Sequence, residues 1–185
     1  VTVTVAPGQP VARESPLAIT LLQGIGRGPR MDLVLQKATE LGVAAIRPLL
    51  TARTVVRLDA DRTEQRRQHW QRILVSAAEQ CGRATLPRLH APADLATALA
   101  AESGTPWRFV LDPAAAPGLP AGIAGARAAA ILIGPEGGLD PAERALVAAH
   151  GFAGLRLGPR ILRTETAPLA ALSILQFLAG DLGAA

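Results

Sequence analysis

Two short stretches of this sequence combine glycine, proline and ionisable side chains in a way that a purely structural loop rarely needs. The first is Ile133-Gly134-Pro135-Glu136-Gly137-Gly138-Leu139, directly after an apolar run. Its three glycines and proline let the backbone turn tightly and approach a ligand, and Glu136 places a carboxylate in the middle. The second runs from Leu157 to Ala167 and joins a Gly158-Pro159 turn and apolar residues to the polar cluster Arg163-Thr164-Glu165-Thr166, just ahead of a predicted helix. Together they read as a ligand site, although the residues alone do not name the ligand. Each charged candidate also has a plainer use: Glu136 could cap a helix near Asp140, and Arg163 could pair with Glu165 or a neighbouring helix.

Other chemistries find less support. Gly24, Gly26 and Gly28 lie between a predicted strand and helix, as in a dinucleotide fingerprint, but Pro29 stands where the third glycine of that motif belongs. No acidic residue follows at the expected place, so the segment reads as a turn. His69, His90, His150 and Cys81 have no metal-ligand spacing, and no metal is expected. The sequence contains neither a G-x-S-x-G nucleophile elbow nor a phosphate-binding G-x-x-x-x-G-K-[ST] loop.

The 185 residues suffice for one full domain, and the 49% of hydrophobic residues can bury a sizeable core. With no Tyr, three Phe and two Trp, that core must be aliphatic, and base stacking has few candidates. A single cysteine excludes an internal disulfide and suits a reducing, cytoplasmic setting. No apolar run approaches the roughly 18–20 residues that span a bilayer, so no membrane partner is expected. The net charge of +4 is unevenly placed: residues 47–88 hold nine arginines against four acids. Arginine favours bidentate phosphate contacts, which makes this stretch either a nucleic-acid surface or a solvated helix face.

These loops need elements to position them, and the pattern supplies alternating strands and helices. Strands are predicted at 19–25, 44–50, 108–112, 129–133 and 155–157, and helices at 30–41, 60–81, 94–102, from Asp140 to Gly151, and 166–179. Asp140, Pro141 and Glu143 have the residue types of an N-cap, a first helical position and a capping box. This alternation predicts an α/β domain with a mostly parallel sheet covered on both faces. Before it, the Val/Thr alternation of residues 1–5 reads as the last strand of another domain. The Pro-rich stretch to Pro16 reads as its exit linker, and the start at Val1 rather than Met as an incomplete record.

The chain resembles the RsmE family, the ribosomal small-subunit RNA (uracil-N3) methyltransferases of the SPOUT class. The resemblance rests on four ordered motifs: residues 36–42 (Gln-Lys-Ala-Thr-Glu-Leu-Gly), 79–83 (Glu-Gln-Cys-Gly-Arg), the Gly134–Gly138 run and Leu157–Ala167. It implies a SPOUT-type sheet over residues 17–185 with a C-terminal trefoil knot, a topology that general rules of chain connection would reject. Residues 1–16 would be the remnant of an N-terminal, PUA-like RNA-binding domain and its linker. It implies a homodimer acting on 16S ribosomal RNA of the small subunit, with S-adenosylmethionine held by the knot loops. On that pattern the cofactor contacts are Leu111, Ile133, Gly134, Gly137, Gly138, Leu157, Gly158, Ile161, Leu162, Thr164, Thr166 and Ala167. Arg53, Arg66 and Arg83 are the expected RNA contacts.

Methylating uridine N3 requires that a nitrogen bearing a proton become nucleophilic. Arg163 is expected to stabilise negative charge on the base, and Glu136 to accept the proton or hold the base in register. Two other readings predict different behaviour. A non-catalytic RNA-binding or ribosome-assembly module would bind RNA but no cofactor, and a doubly wound oxidoreductase would bind a nicotinamide at Gly24–Gly28.

Overall fold

The computed structural model describes residues 13–54, 60–116, 118–119 and 122–183. The strand expected at residues 1–5 and most of the Pro-rich stretch lie outside them.

The elements follow the expected alternation: β1 (Ala18–Gly24), α1 (Gly28–Glu40), β2 (Ala45–Leu50), α2 (Ala60–Cys81), β3 (Arg88–Leu89), β4 (Ala93–Asp94), α3 (Leu95–Ala101), β5 (Trp107–Leu111), β6 (Ala128–Ile133), α4 (Pro141–Ala149), β7 (Ala153–Leu155) and α5 (Thr166–Ala179). The strands form one sheet in the order β3-β2-β1-β6-β5-β7, with β4 also pairing β2, and every pairing is parallel. All strands therefore point their carboxyl ends the same way, and the loops that leave those ends gather on one edge of the domain.

Side chains alternate across the sheet with a period of two. Ile19, Leu21, Ala129 and Ile131 face a core that also holds Met31, Leu35, Trp70, Leu74, Leu172 and Leu175 from α1, α2 and α5. Leu22, Ala130 and Leu132 face the opposite core, with Leu95 and Leu99 of α3 and Val147 of α4. Burial on both faces explains why β6 reads as a continuous apolar run rather than an alternating one.

Most boundaries fall within one or two residues of expectation, and three of the differences matter here. Residues 155–157 are not the last strand; β7 pairs with β5 through Ala153, Gly154 and Leu155, which leaves Leu157 free to face the loops. Asp94 lies outside α3 as its N-cap, its carboxylate accepting the Thr97 N–H at 2.9 Å. And α1 starts at Gly28, because Pro29 sits in its first turn, where a missing N–H costs nothing.

Candidate active site

The loops after β5, β6 and β7 enclose a cleft of about 530 Å³ at the carboxyl edge of the sheet. Leu111, Ile133, Gly134, Gly138, Leu157, Ile161, Leu162, Thr164 and Ala167 line it, as do Glu136 and Arg163. Gly137, Gly158 and Thr166 do not line it. The Gly137 carbonyl accepts a hydrogen bond from Arg53 Nη1 at 2.7 Å. Gly158 serves as a turn residue at φ +70°, and Thr166 is the exposed first residue of α5.

The β6 loop is shaped by its neighbours. Gly138 N–H donates to Pro135 O at 2.8 Å and closes a turn that requires φ +69° at Gly138. Asp140 and Glu143 form the expected capping box on α4, and Glu143 also accepts the Ala52 N–H at 2.7 Å. A Cβ on Gly24 would collide with the backbone of Gly134 and Pro135, and one on Gly26 would lie 3.3 Å from Glu136 Oε1. The glycines read as a turn therefore make room for the cleft loop. The cleft loop packs against Gly24 and Gly26, where a dinucleotide would have to approach, and this counts against the oxidoreductase reading.

Glu136 is tied to α1. Its Oε1 accepts the Arg27 N–H at 3.4 Å and pairs with Arg30 Nη1 at 3.1 Å. Because α1 has no side-chain cap of its own, Glu136 supplies one from a distant loop. It caps this helix and not the one beginning near Asp140. Burial pushes its carboxyl up, but its own N–H, the Arg27 N–H and the Arg30 guanidinium outweigh this and hold it below the ordinary value. Glu165 also pairs with Arg30, at 3.6 Å, while its Oε2 is buried with no hydrogen-bond partner.

Arg163 is exposed, and among the described residues its side chain has no hydrogen-bond or ion-pair partner. It does not pair with Glu165. The Thr164 hydroxyl donates to Gly134 O at 2.9 Å and accepts from Gln23 Nε2 at 3.4 Å, so Thr164 ties the ends of β1 and β6 to the loop before α5. Arg30 and Glu165 are site residues that the sequence pattern does not single out. Glu165 stood inside the polar cluster, but nothing local marks Arg30, whose partner Glu136 is 106 residues away.

The expected RNA contacts separate. Arg53 lies against the cleft loop through Gly137. Arg66 on α2 has no partner among the described residues. Arg83 does not fit the expectation: its side chain is only 7% exposed and donates to Glu14 and to the carbonyls of Thr39 and Val43, which leaves it no face for a phosphate. Among the described residues no group of three His, Cys, Asp or Glu could hold a metal, and no helix is long and apolar enough to cross a membrane.

A parallel sheet whose ligand cleft is built from strand-end loops is shared by many enzyme families, so the comparisons decide among them. A family model described as RNA methyltransferase domain matches residues 13–176, and the chain belongs to that family. Within it the chain belongs with the ribosomal RNA small subunit methyltransferases E. The protein of that name from Bacillus subtilis is 36% identical over 177 residues, which cover 89% of this chain and 68% of the relative. A ribosomal RNA small subunit methyltransferase E from Neisseria gonorrhoeae, solved bound to S-adenosyl methionine, is 40% identical with a TM-score of 0.83, over 92% of this chain and 70% of that one. A protein from Legionella pneumophila, solved in complex with bound cofactor SAM, is 43% identical with a TM-score of 0.87, over 93% of this chain and 71% of that one.

Proposed function

We propose that the chain binds S-adenosylmethionine in the β5–β6–β7 cleft and transfers its methyl group to N3 of a uridine in 16S ribosomal RNA of the small subunit. The observation that carries this is the cleft itself, framed by the loops after β5, β6 and β7, in a chain whose fold matches that of relatives solved with that cofactor. The residues present fit the cofactor. The volume falls within the roughly 300–1,000 Å³ of small-molecule sites. Leu111, Ile133, Leu157 and Leu162 offer apolar walls, and Glu136 and Glu165 offer negative charge to a cation.

When bound, the cofactor supplies an electrophilic methyl on a positively charged sulfur. The chain's own residues then hold the base in line with it, exclude water and stabilise the base as it loses its N3 proton. Arg163, unpaired at the cleft, is the group that meets negative charge on O2 or O4. Glu136 is better suited to holding than to accepting a proton, because Arg30 and the α1 N-terminus already occupy its Oε1. The target base reaches the cleft unstacked from its neighbours.

Arg53 and Arg66 are the RNA-backbone contacts in this reading. The loop before α5, strapped by Thr164 to strands earlier in the chain, supports a SPOUT trefoil knot. A PUA-like RNA-binding domain ending at residue 16 and a homodimer complete the proposal, with action on ribosomal RNA in the cytoplasm.

Two titrations test the function. Calorimetry should show S-adenosylmethionine binding, and labelled methyl should pass to small ribosomal subunits. RNA binding without cofactor binding would establish the non-catalytic module instead.

A further inference from the structure

Arg30 joins α1 to two of the three loops that build the cleft, pairing with Glu136 of the β6 loop at 3.1 Å and Glu165 of the β7 loop at 3.6 Å. Two carboxylates against one guanidinium leave one negative charge in surplus. That surplus is not shared evenly. Glu136 has backbone N–H groups as well as Arg30, whereas the Glu165 side chain is 17% exposed and its buried Oε2 has no donor among the described residues. A carboxylate oxygen in that condition is costly unless something positive approaches it.

Arginines outnumber carboxylates around the cleft as a whole, so the surplus belongs to this cluster alone. Arg144 is engaged with Asp112 at 3.5 Å. Arg160 and Arg163 are exposed, so solvent screens them, while Arg156 is half-buried and its Nε has no hydrogen-bond partner among the described residues.

We infer that the Glu136–Arg30–Glu165 cluster makes the cleft select the cationic methyl donor over its product, whose sulfur is neutral. This rests on the cleft being the S-adenosylmethionine site. Methyl transfer removes one positive charge from the bound molecule. A surplus carboxylate that is largely buried therefore holds the donor more tightly than the product, and the product leaves. Glu165 is then a specificity-determining residue, and Arg30 a positioning residue that fixes both carboxylates.

Calorimetry on the full chain with three probes tests this: S-adenosylmethionine, S-adenosylhomocysteine and sinefungin, which carries an amine cation near the sulfonium position. Glu165→Gln keeps the shape and removes the charge. It should weaken the two cationic probes by about tenfold and leave S-adenosylhomocysteine nearly unchanged, at the low end of what one opposite charge at close range does to an ionic equilibrium. Glu136→Gln should shift the same ratio in the same direction, and it carries the test if melting shows that Glu165→Gln does not fold. An equal loss for all three probes would overturn the inference, since Glu165 would then contact a group common to all of them. Failure of the wild-type chain to bind any probe would instead overturn the assignment of the site.

Discussion

Arg163 and Glu136 sit in one cleft but are held very differently, and the difference separates their expected phenotypes. Nothing among the described residues restrains the Arg163 guanidinium, so its contribution arises when charge develops on the base. Arg163→Ala should keep most cofactor affinity and lose on the order of a hundredfold or more in single-turnover methyl transfer, the scale of removing one charge-stabilising donor. Near-normal transfer by the folded variant would sink that role. Glu136 is bound to α1, which predicts a stability effect. Its folded pKa lies below the ordinary 4.5, so its stabilisation is present above that value and is lost as pH falls through the folded value. Glu136→Gln should therefore lower the melting temperature at neutral pH, and the gap to wild type should close in acid. Its transfer defect should be the same across alkaline pH; partial rescue at high pH, where uridine ionises unaided, would restore Glu136 as proton acceptor.

The loops at the cleft depend on elements that carry no chemistry. Gly24 ends β1 where the backbone of Gly134 and Pro135 crosses it, so Gly24→Ala must push the cleft loop aside. Weaker cofactor binding by a folded Gly24→Ala variant is expected, and unchanged calorimetry would show that the loop tolerates the shift. Arg83 belongs at this scale too. Arg83→Ala should cost about 1.5–3 kcal/mol, the range for hydrogen bonds to charged groups, and leave the salt dependence of RNA binding unaltered. Arg66→Ala should instead reduce that salt slope by about one phosphate contact. Where the sequence was legible, the reason was local. The bounds of α2 and α5 follow from periodicity and a terminal glycine, and the α4 capping box from Asp140 and Glu143. β3 and β4 have two residues each, too few to show any period. The pairing of Arg30 with Glu136 and the burial of Arg83 under Glu14 join segments far apart in the chain, and only the sheet order brings them together.

At the scale of the molecule, α5 is the element that a single copy does not satisfy. Ala167, Ala171, Leu172, Leu175 and Gln176 are buried against the domain, yet on the other side Ile174, Phe177 and Leu178 are exposed, with Phe177 at 64%. A helix apolar on both sides belongs in an interior, and exposed apolar surface of this kind marks an interface. Symmetric pairing of α5 with its counterpart in a second copy would bury these side chains in an isologous contact. Gln176 fixes which side faces outward: its Nε2 donates to the carbonyls of Leu41 and Gly42, so α5 is anchored to the end of α1 and cannot turn its outer face inward. The chain should therefore run as a dimer in light scattering at micromolar concentration. Phe177→Asp, which changes the exposed face without touching the buried one, should convert it to a folded monomer. A wild-type monomer, or a Phe177→Asp dimer, would place the partner surface elsewhere.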